Sequence, residues 1–185
     1  MADPFYFTDR KDWRAWLENN FDTANEVWLV YPNKSSGKPR IGYNEAVEEA
    51  LCFGWIDSTV RKHDEGSSMQ RFTPRNPKSS YSQSNKERLR WLLANKMVHA
   101  SMIGIARQVV AEEFIFPEDI LGALKDDNEV WINFLGFSEV YRRIRVAYVD
   151  GARKRPAEFR KRLENLISKT RENRQIGFGG IEKYY

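Results

Sequence analysis

The sequence predicts an α+β protein, with a small antiparallel sheet and helices in the N-terminal part and an all-helical C-terminal part. Strands and helices are both predicted within residues 1–96. Apolar residues at helical spacing continue through residues 97–172. The strand-like runs are few, and those between residues 55 and 73 are close in sequence, which favours a hairpin over a doubly wound parallel sheet.

The first two elements are a helix and a strand. Asp9 can cap a helix that continues to about Phe21, in which Trp13, Trp16 and Leu17 recur at helical spacing. The following run, residues 27–31, is apolar at every position. Strands buried on both faces have this composition, so we expect this strand to be central in the sheet.

A second helix and a hairpin are predicted next. The helix covers residues 44–53 and ends at Gly54, with the acidic residues expected on the side away from the core. Its apolar stripe is Ala46, Val47, Ala50 and Leu51, and its acidic residues are Glu45, Glu48 and Glu49. Strands are predicted over residues 55–60 and 69–73, joined by a loop over residues 63–68.

Further helices fill the rest of the chain. Ser84 and Glu87 match a capping box, which predicts a helix from Ser84 through Asn95. Other helices are predicted over residues 101–114, from Pro117, around residues 140–148 and from Pro156. We therefore expect an α+β domain over residues 1–96, a helical domain over residues 97–176 and a flexible tail over residues 177–185.

Composition and charge limit the class of protein. The chain has 185 residues, 41% of them hydrophobic, which is too apolar for a disordered protein. No run is long enough to span a bilayer, no secretory signal is present, and Cys52 is the single cysteine, so we expect a cytoplasmic location. The net charge of +4 is the sum of −4, +6, −5 and +7 over residues 1–60, 61–96, 97–137 and 138–185. This alternation indicates either complementary segments or an anion-binding face.

The sequence offers no metal site and no cofactor motif. His63, His99 and Cys52 lack the spacing of a zinc site. Adjacent carboxylates such as Glu48 and Glu49 point about 100° apart on a helix, so we expect them not to converge. Cys52 lies in an apolar part of its helix, where a thiol is usually inert. Residues 33–39 lack the first glycine of a phosphate-binding loop, and we interpret them as an exposed turn.

The segment from Gly54 to Asn85 is the candidate site, because it is dense in Arg, Ser, Tyr and Asn. If residues paired across the hairpin have numbers that sum to an even value, Asp57 and Arg71 share a face of the sheet. Arg71 and Arg75 would then hold an anion between walls formed by Trp55 and Tyr81. The alternative is structural, with Asp57 paired to Arg71 and the serines capping the next helix.

The same segment resembles the YdeI/OmpD-associated family, also called bacteriocin-protection proteins. The stretches that carry the resemblance are Tyr43 to Asp57, Arg71 to Arg75, Ser80 to Ser82, and Asn85. The family usually has Trp at the position of Tyr81, a conservative change for stacking. Residues from Pro117 to Arg174 resemble the family more loosely. The resemblance implies a cytoplasmic bacterial protein linked genetically to stress or antimicrobial-peptide resistance, with no established enzyme activity or cofactor. It also implies a signature cluster of Trp55, Asp57, Arg71, Arg75, Tyr81 and Asn85.

Three hypotheses about function follow. The first is a protein that binds a small anionic ligand or a protein partner through residues 54–85. The second is an enzyme acting on a small anionic metabolite, with Asp57 as a general base. The third is nucleic-acid binding by the basic blocks, against which the modest net charge and the lack of a known motif both weigh. The sequence leaves the ligand and the oligomeric state open.

Overall fold

The computed structural model describes residues 4–177 and 180–185, and within them the chain forms eight α-helices and one three-stranded antiparallel sheet. This confirms the α+β prediction. The chain divides into two compact units. The sheet unit comprises Met1–Ser80 and Leu89–Val109, and the helical unit comprises Tyr81–Arg88 and Val110–Tyr185. Across the described residues, no helix is both long enough and apolar enough to cross a membrane.

The first helix, α1 (Arg10–Asn20), begins as predicted. The Asp9 carboxylate accepts hydrogen bonds from the amides of Lys11 and Asp12, which would otherwise lack partners at the helix start. The buried Trp13 anchors the helix, because its indole N–H donates to the Ala46 carbonyl at 3.0 Å. The Trp13 ring also lies 5.4 Å from the Phe72 ring, which places α1 over one face of the sheet.

The sheet consists of β1 (Val27–Pro32), β2 (Trp55–Asp64) and β3 (Ser67–Pro74), in the order β1-β3-β2. The prediction that the first strand is central is wrong, because β3 occupies that position. Both faces of β1 are nevertheless covered. Leu29 is fully buried, and on the opposite face the Arg61 guanidinium lies 5.1 Å from the ring of the buried Trp28. The hairpin loop is shorter than predicted, since the two strands extend to Asp64 and Ser67.

The second helix, α2 (Tyr43–Cys52), corrects the predicted helix face. Gly54 follows it with φ of +74°, as expected of a residue that ends a helix. Glu48 and Glu49 were expected to face away from the core, but both are buried. They also converge, contrary to prediction, because the long Arg10 side chain reaches Glu48 at 3.5 Å and Glu49 at 2.5 Å. Arg14 adds a third contact, 2.7 Å from Glu49.

Helix α3 (Gln83–Ala94) is capped by a different serine from the predicted one. The Asn85 amide donates to the Ser82 hydroxyl at 3.3 Å, so Ser82 stands where Ser84 was expected. Glu87 does not close a capping box. Its carboxylate is buried and accepts hydrogen bonds from Gln83 and from Arg143. The residues after α3 belong to the sheet unit, where the His99 amide donates to the Cys52 carbonyl at 3.0 Å.

Five helices follow α3. They are α4 (Ile103–Ala111), α5 (Glu118–Lys125), α6 (Asn128–Gly136), α7 (Glu139–Asp150) and α8 (Pro156–Arg171). The sequence reading missed α6, whose start is marked by Asp127 accepting from the amides of Glu129 and Val130. The helical unit has its own apolar core, formed by Ile120, Leu124, Val130, Phe134, Val146, Val149 and Leu166.

The end of the chain packs on the helical unit. The flexible tail expected over residues 177–185 falls partly on residues 178 and 179, which lie outside the described residues. After them, Ile181–Tyr184 form a short 3-10 helix in which Ile181 and Tyr184 are buried. The Tyr185 ring lies 4.9 Å from the Tyr141 ring, so these residues contribute apolar packing to the unit.

We predict that Glu49→Gln lowers the free energy of unfolding by about 3 kcal/mol, since it removes the buried carboxylate shared by two arginines. Equilibrium denaturation in urea measures the effect. Glu18→Gln is the matched control, because Glu18 also pairs with Arg14 but its side chain is 52% exposed. We expect the control to cost less than about 1 kcal/mol. Equal losses in the two variants would contradict a structural role for the buried carboxylate.

We predict that Ile181→Ala destabilises the protein by about 2 kcal/mol, because the side chain is 3% exposed and its loss leaves a cavity. Ile115→Ala makes the same chemical change in the same unit at a side chain that is 82% exposed, and we expect less than about 0.5 kcal/mol there. Thermal unfolding of both variants distinguishes a packed C-terminal segment from one that contributes no stability.

Candidate functional site

Trp55, the first residue of the signature cluster, is a core residue. It is 1% exposed, and its indole N–H donates to the Phe21 carbonyl at 2.9 Å. Its ring meets the edge of Trp16 at 5.8 Å between centroids. These contacts bind α1 to the start of β2 and bury the ring, which was expected to form a pocket wall.

Asp57 and Arg71 lie on opposite faces of the sheet. Asp57 is paired with Phe72, whereas Arg71 is paired with Trp28 of β1. Directly opposed residues in an antiparallel pair share a face, and neighbours along a strand alternate between faces. The assumed register fails at Asp57, whose pair has an odd sum. Only Val60 to Lys62, between two irregularities of β2, follow the even-sum pattern.

The carboxylate of Asp57 therefore has other partners. It accepts hydrogen bonds from the Tyr43 hydroxyl at 2.9 Å and from the Gln70 amide at 2.7 Å. These contacts tie the first residue of α2 to β2 and β3, the two strands of the hairpin. The expected ion pair with Arg71 does not form.

Arg71 pairs with Glu26, the residue that precedes β1. Its Nη2 lies 2.5 Å from Glu26 Oε2, and the Trp28 indole donates to the other carboxylate oxygen at 3.3 Å. The hydrogen bond from Arg71, followed by the one from Trp28, lowers the pKa of the Glu26 carboxyl. Arg71, Trp28 and Arg61 thus form a polar and aromatic surface on the face of the sheet opposite α1.

The other three members of the signature cluster are divided between the two units. Arg75 donates to the carbonyls of Ser79 and Ser80, which shapes the turn after β3. Tyr81 and Asn85 belong to the helical unit, where Asn85 Oδ1 accepts from Arg88 Nη1 at 2.9 Å. As a ligand site, the signature cluster stays a prediction.

An open pocket of about 450 Å³ lies in the sheet unit at the closed end of the hairpin. We call it the hairpin pocket. It is lined by Pro4, Tyr6, Val30, Pro32, Ser36, Lys38, His63, Asp64, Gly66 and Ser67. Ser67, Met69 and Arg71 are alternate residues of β3, so they share one face of the sheet. Val30 is paired with Met69 and therefore lies on that face too. The pocket and the Arg61–Arg71 surface therefore share one face.

Backbone contacts hold the walls of the hairpin pocket. The Tyr6 hydroxyl donates to the Pro39 carbonyl and links the N-terminal segment to the loop after β1. Arg40 donates to the Pro32 carbonyl at 2.7 Å, which closes that loop upon itself. The Asn33 amide donates to the Gly66 carbonyl at 2.8 Å and joins the loop to the hairpin turn.

The chemistry of the hairpin pocket is mixed. Val30, Pro32 and the Tyr6 ring supply apolar surface, while the exposed Lys38 and His63 bring cationic or polar groups to the rim. The pKa of the Asp64 carboxyl is lowered, and its Oδ1 accepts a hydrogen bond from the Gly66 amide at 2.7 Å. Such a site can bind a ligand that has an apolar body and a negatively charged group.

Sequence reasoning missed this pocket, because its parts come from residues 4–6, 30–38 and 63–67. The sequence predicts an exposed turn over residues 33–39 and a hairpin loop over residues 63–68. The one available signal was that both segments carry cationic or imidazole side chains beside strand ends. Only the tertiary fold brings the two segments together.

The remaining reactive residues of the sheet unit are part of its packing. Burial raises the pKa of the Cys52 thiol to about 12, so the thiolate needed for nucleophilic attack is scarce at neutral pH. The His99 ring lies 4.9 Å from Phe21 and 5.1 Å from Phe53. Among the residues that the structure describes, no group of three or more His, Cys, Asp or Glu side chains could hold a metal ion.

We predict that Arg71→Gln raises the pKa of the Glu26 carboxyl toward its ordinary value. Because this pKa is lowered in the folded protein, the ion pair stabilises above the unfolded-state pKa, and its contribution is lost as the pH falls through the folded value. The stability difference from the wild type should therefore shrink as the pH falls below about 4. NMR titration of the Glu26 carboxyl measures the shift. Arg75→Gln is the control, and an equal shift there would contradict the pairing.

Comparison with known protein families gives two matches. Residues 5–104, more than half of the chain, match the family described as Domain of unknown function (DUF8412). Residues 113–173 match the family described as Bacteriocin-protection, YdeI or OmpD-Associated. No curated protein and no solved structure is significantly similar to the chain.

The second match confirms the resemblance to the YdeI/OmpD-associated family and places it on the C-terminal helices. The stretches that carried the more specific part of the resemblance, between Tyr43 and Asn85, lie in the segment covered by the first match. The hairpin pocket also lies in that segment, apart from Pro4, and the helical match covers most of the helical unit.

Proposed function

This chain belongs to the family of the Domain of unknown function (DUF8412), and we propose that it is a binding protein whose hairpin pocket takes a small ligand with an apolar body and one anionic group. The observation that carries the proposal is the pocket itself. Its volume of about 450 Å³ falls within the range of ligand pockets, and its polar groups lie beside an apolar floor.

The proposed ligand is defined by the two sides of the pocket. Lys38 and His63 would meet the anionic group, and Val30, Pro32 and the Tyr6 ring would contact the apolar body. A longer ligand would continue along the same face of the sheet toward Arg61 and Arg71. Arg71 is thereby the member of the signature cluster that this proposal retains.

We favour binding over catalysis because the candidate nucleophile Ser67 and the candidate base Asp57 both lack the surroundings that catalysis needs. Nucleophilic catalysis by serine requires a base within hydrogen-bond reach of the hydroxyl. Among the described residues, no histidine lies within hydrogen-bond distance of the Ser67 hydroxyl. Asp57, the proposed general base of the alternative, lies on the other face of the sheet from Val30 and Ser67 and is held by Tyr43 and Gln70.

The second family match supports a biological context for this binding. The description of this family, Bacteriocin-protection, leads us to propose that the protein acts in the response of a bacterial cell to antimicrobial peptides or related stress. We place that action in the cytoplasm, as the buried free thiol of Cys52 requires no oxidising compartment. In this proposal, binding of the ligand signals the stress, and the helical unit contacts a protein partner.

We predict that a thermal-shift screen of apolar carboxylates and organic phosphates finds compounds that stabilise the full chain. A ligand at 100 times its Kd adds about 2.7 kcal/mol, which such a screen readily detects. Lys38→Ala should abolish the stabilisation. Lys34→Ala is the matched control, because it removes the same charge from the same loop at a residue that does not line the pocket.

The screen can also refute the proposal. Compounds that stabilise both lysine variants as well as the wild type bind elsewhere, and the hairpin pocket would then be an empty surface feature. If only oligonucleotides stabilise the protein, and equally in both lysine variants, the nucleic-acid hypothesis would replace it. Measurable turnover of a stabilising compound, lost in Asp57→Asn, would instead support the enzyme hypothesis.

A further inference from the structure

Helix α7 carries three arginines within four residues, and their surroundings differ. Arg143 has the surroundings expected of a partly buried cation. Its Nε lies 2.7 Å from Glu87 Oε1, its Nη2 donates to Glu87 Oε2 at 3.2 Å, and Glu139 adds a further contact. Two carboxylates thus balance this one guanidinium.

Arg145 has no carboxylate partner of this kind among the described residues. The residue is only 5% exposed, and within residues 4–177 and 180–185 no carboxylate pairs with it. One nitrogen donates to the Tyr185 hydroxyl, and the guanidinium lies 5.8 Å from the Tyr141 ring and 5.6 Å from the Tyr185 ring. Its Nε is buried and has no hydrogen-bond acceptor. Aromatic rings stabilise a cation only partly, and a buried donor without an acceptor is costly.

Arg142, three residues before Arg145, also lies beside an aromatic ring and lacks a carboxylate partner within the described residues. Its guanidinium lies 5.8 Å from the Phe134 ring, and its Nε is likewise buried without an acceptor. It too has no carboxylate partner in the part of the chain that the structure describes. Residues three apart on a helix lie on the same side, with Cβ atoms about 5–6 Å apart, and like charges at this spacing repel each other.

Tyrosine contacts fix the orientation of Arg145. The Tyr185 hydroxyl that accepts from Arg145 itself donates to the Ile176 carbonyl at 3.0 Å. The Ile176 amide donates in turn to the Tyr141 hydroxyl at 3.1 Å. These hydrogen bonds fix the two tyrosines, whose rings lie beside the guanidinium. The buried Nε without an acceptor is therefore a consequence of this packing.

We propose that Arg142 and Arg145 form a binding site for an oxyanion, either a phosphate or a carboxylate group. An oxyanion would supply the acceptors that both Nε atoms lack, and it would cancel the repulsion between the two cations. Guanidinium groups bind such planar or tetrahedral anions through paired N–H donors. The site belongs to the helical unit and is separate from the hairpin pocket, so it does not rest on the function proposed above.

The test is an anion titration of the full chain at constant ionic strength, followed by thermal shift. Inorganic phosphate, glycerol phosphate and acetate are each added against sodium chloride, which separates free phosphate, an esterified phosphate and a carboxylate. We predict a saturable rise in Tm with at least one of them. Arg142→Gln and Arg145→Gln should each weaken the apparent affinity by about tenfold or more, as expected for a charge-assisted hydrogen bond.

Two controls make the result decisive. Arg160→Gln removes one exposed cation of the same unit that has no ion pair among the described residues, and it should keep the full response. Lys38→Ala in the hairpin pocket should also keep it. If Arg145→Gln fails to fold, Arg142→Gln and Arg145→Lys carry the test. No response of the wild type to any of the three anions would overturn the proposal. So would a response that survives in Arg142→Gln or falls equally in Arg160→Gln.

Discussion

The buried carboxylate of Glu49 is the constraint on which the sheet unit depends. It holds Arg10 and Arg14 of α1 against α2, and Arg14 also donates to the Met97 carbonyl after α3 at 3.0 Å. Three separate segments thus meet at one charge. A carboxylate so deeply buried is tolerated only when cations and hydrogen bonds surround it. On the same helix, Trp13 and Leu17 form the buried apolar side of α1.

The sequence predicted helix ends well, because the interactions that determine them involve only neighbouring residues. Asp9 and Gly54 stand at helix ends because capping and a positive φ involve only a few consecutive residues. The errors arose where distant segments decide the outcome. Glu48 and Glu49 are charged, so periodicity alone placed them outside, and the partner that buries them lies nearly forty residues away. The central position of β3 likewise depends on pairing that no single strand reveals.

The candidate site illustrates the same division. The sequence correctly marked Arg71 as a polar group on a sheet face, but it could not reveal the irregularity after Asp57 that reverses the faces. A shift of one residue exchanges every side chain between the two faces of a strand. The hairpin pocket could not be predicted from the sequence for another reason. Tyr6, Lys38 and His63 have no shared motif, and only the closure of the loop on the hairpin turn unites them.

The arginines of the protein show why charge counting predicts so little about sites. Arg10, Arg14 and Arg143 each lie against a buried carboxylate, so their charges serve packing. Arg142 and Arg145 occupy the same basic block of the sequence as Arg143, yet aromatic rings stand where carboxylates would be expected. A guanidinium can be buried in either environment, but only the second leaves donors without acceptors. The missing acceptors at Arg142 and Arg145, and not the net charge, are therefore the reason for proposing an oxyanion site there.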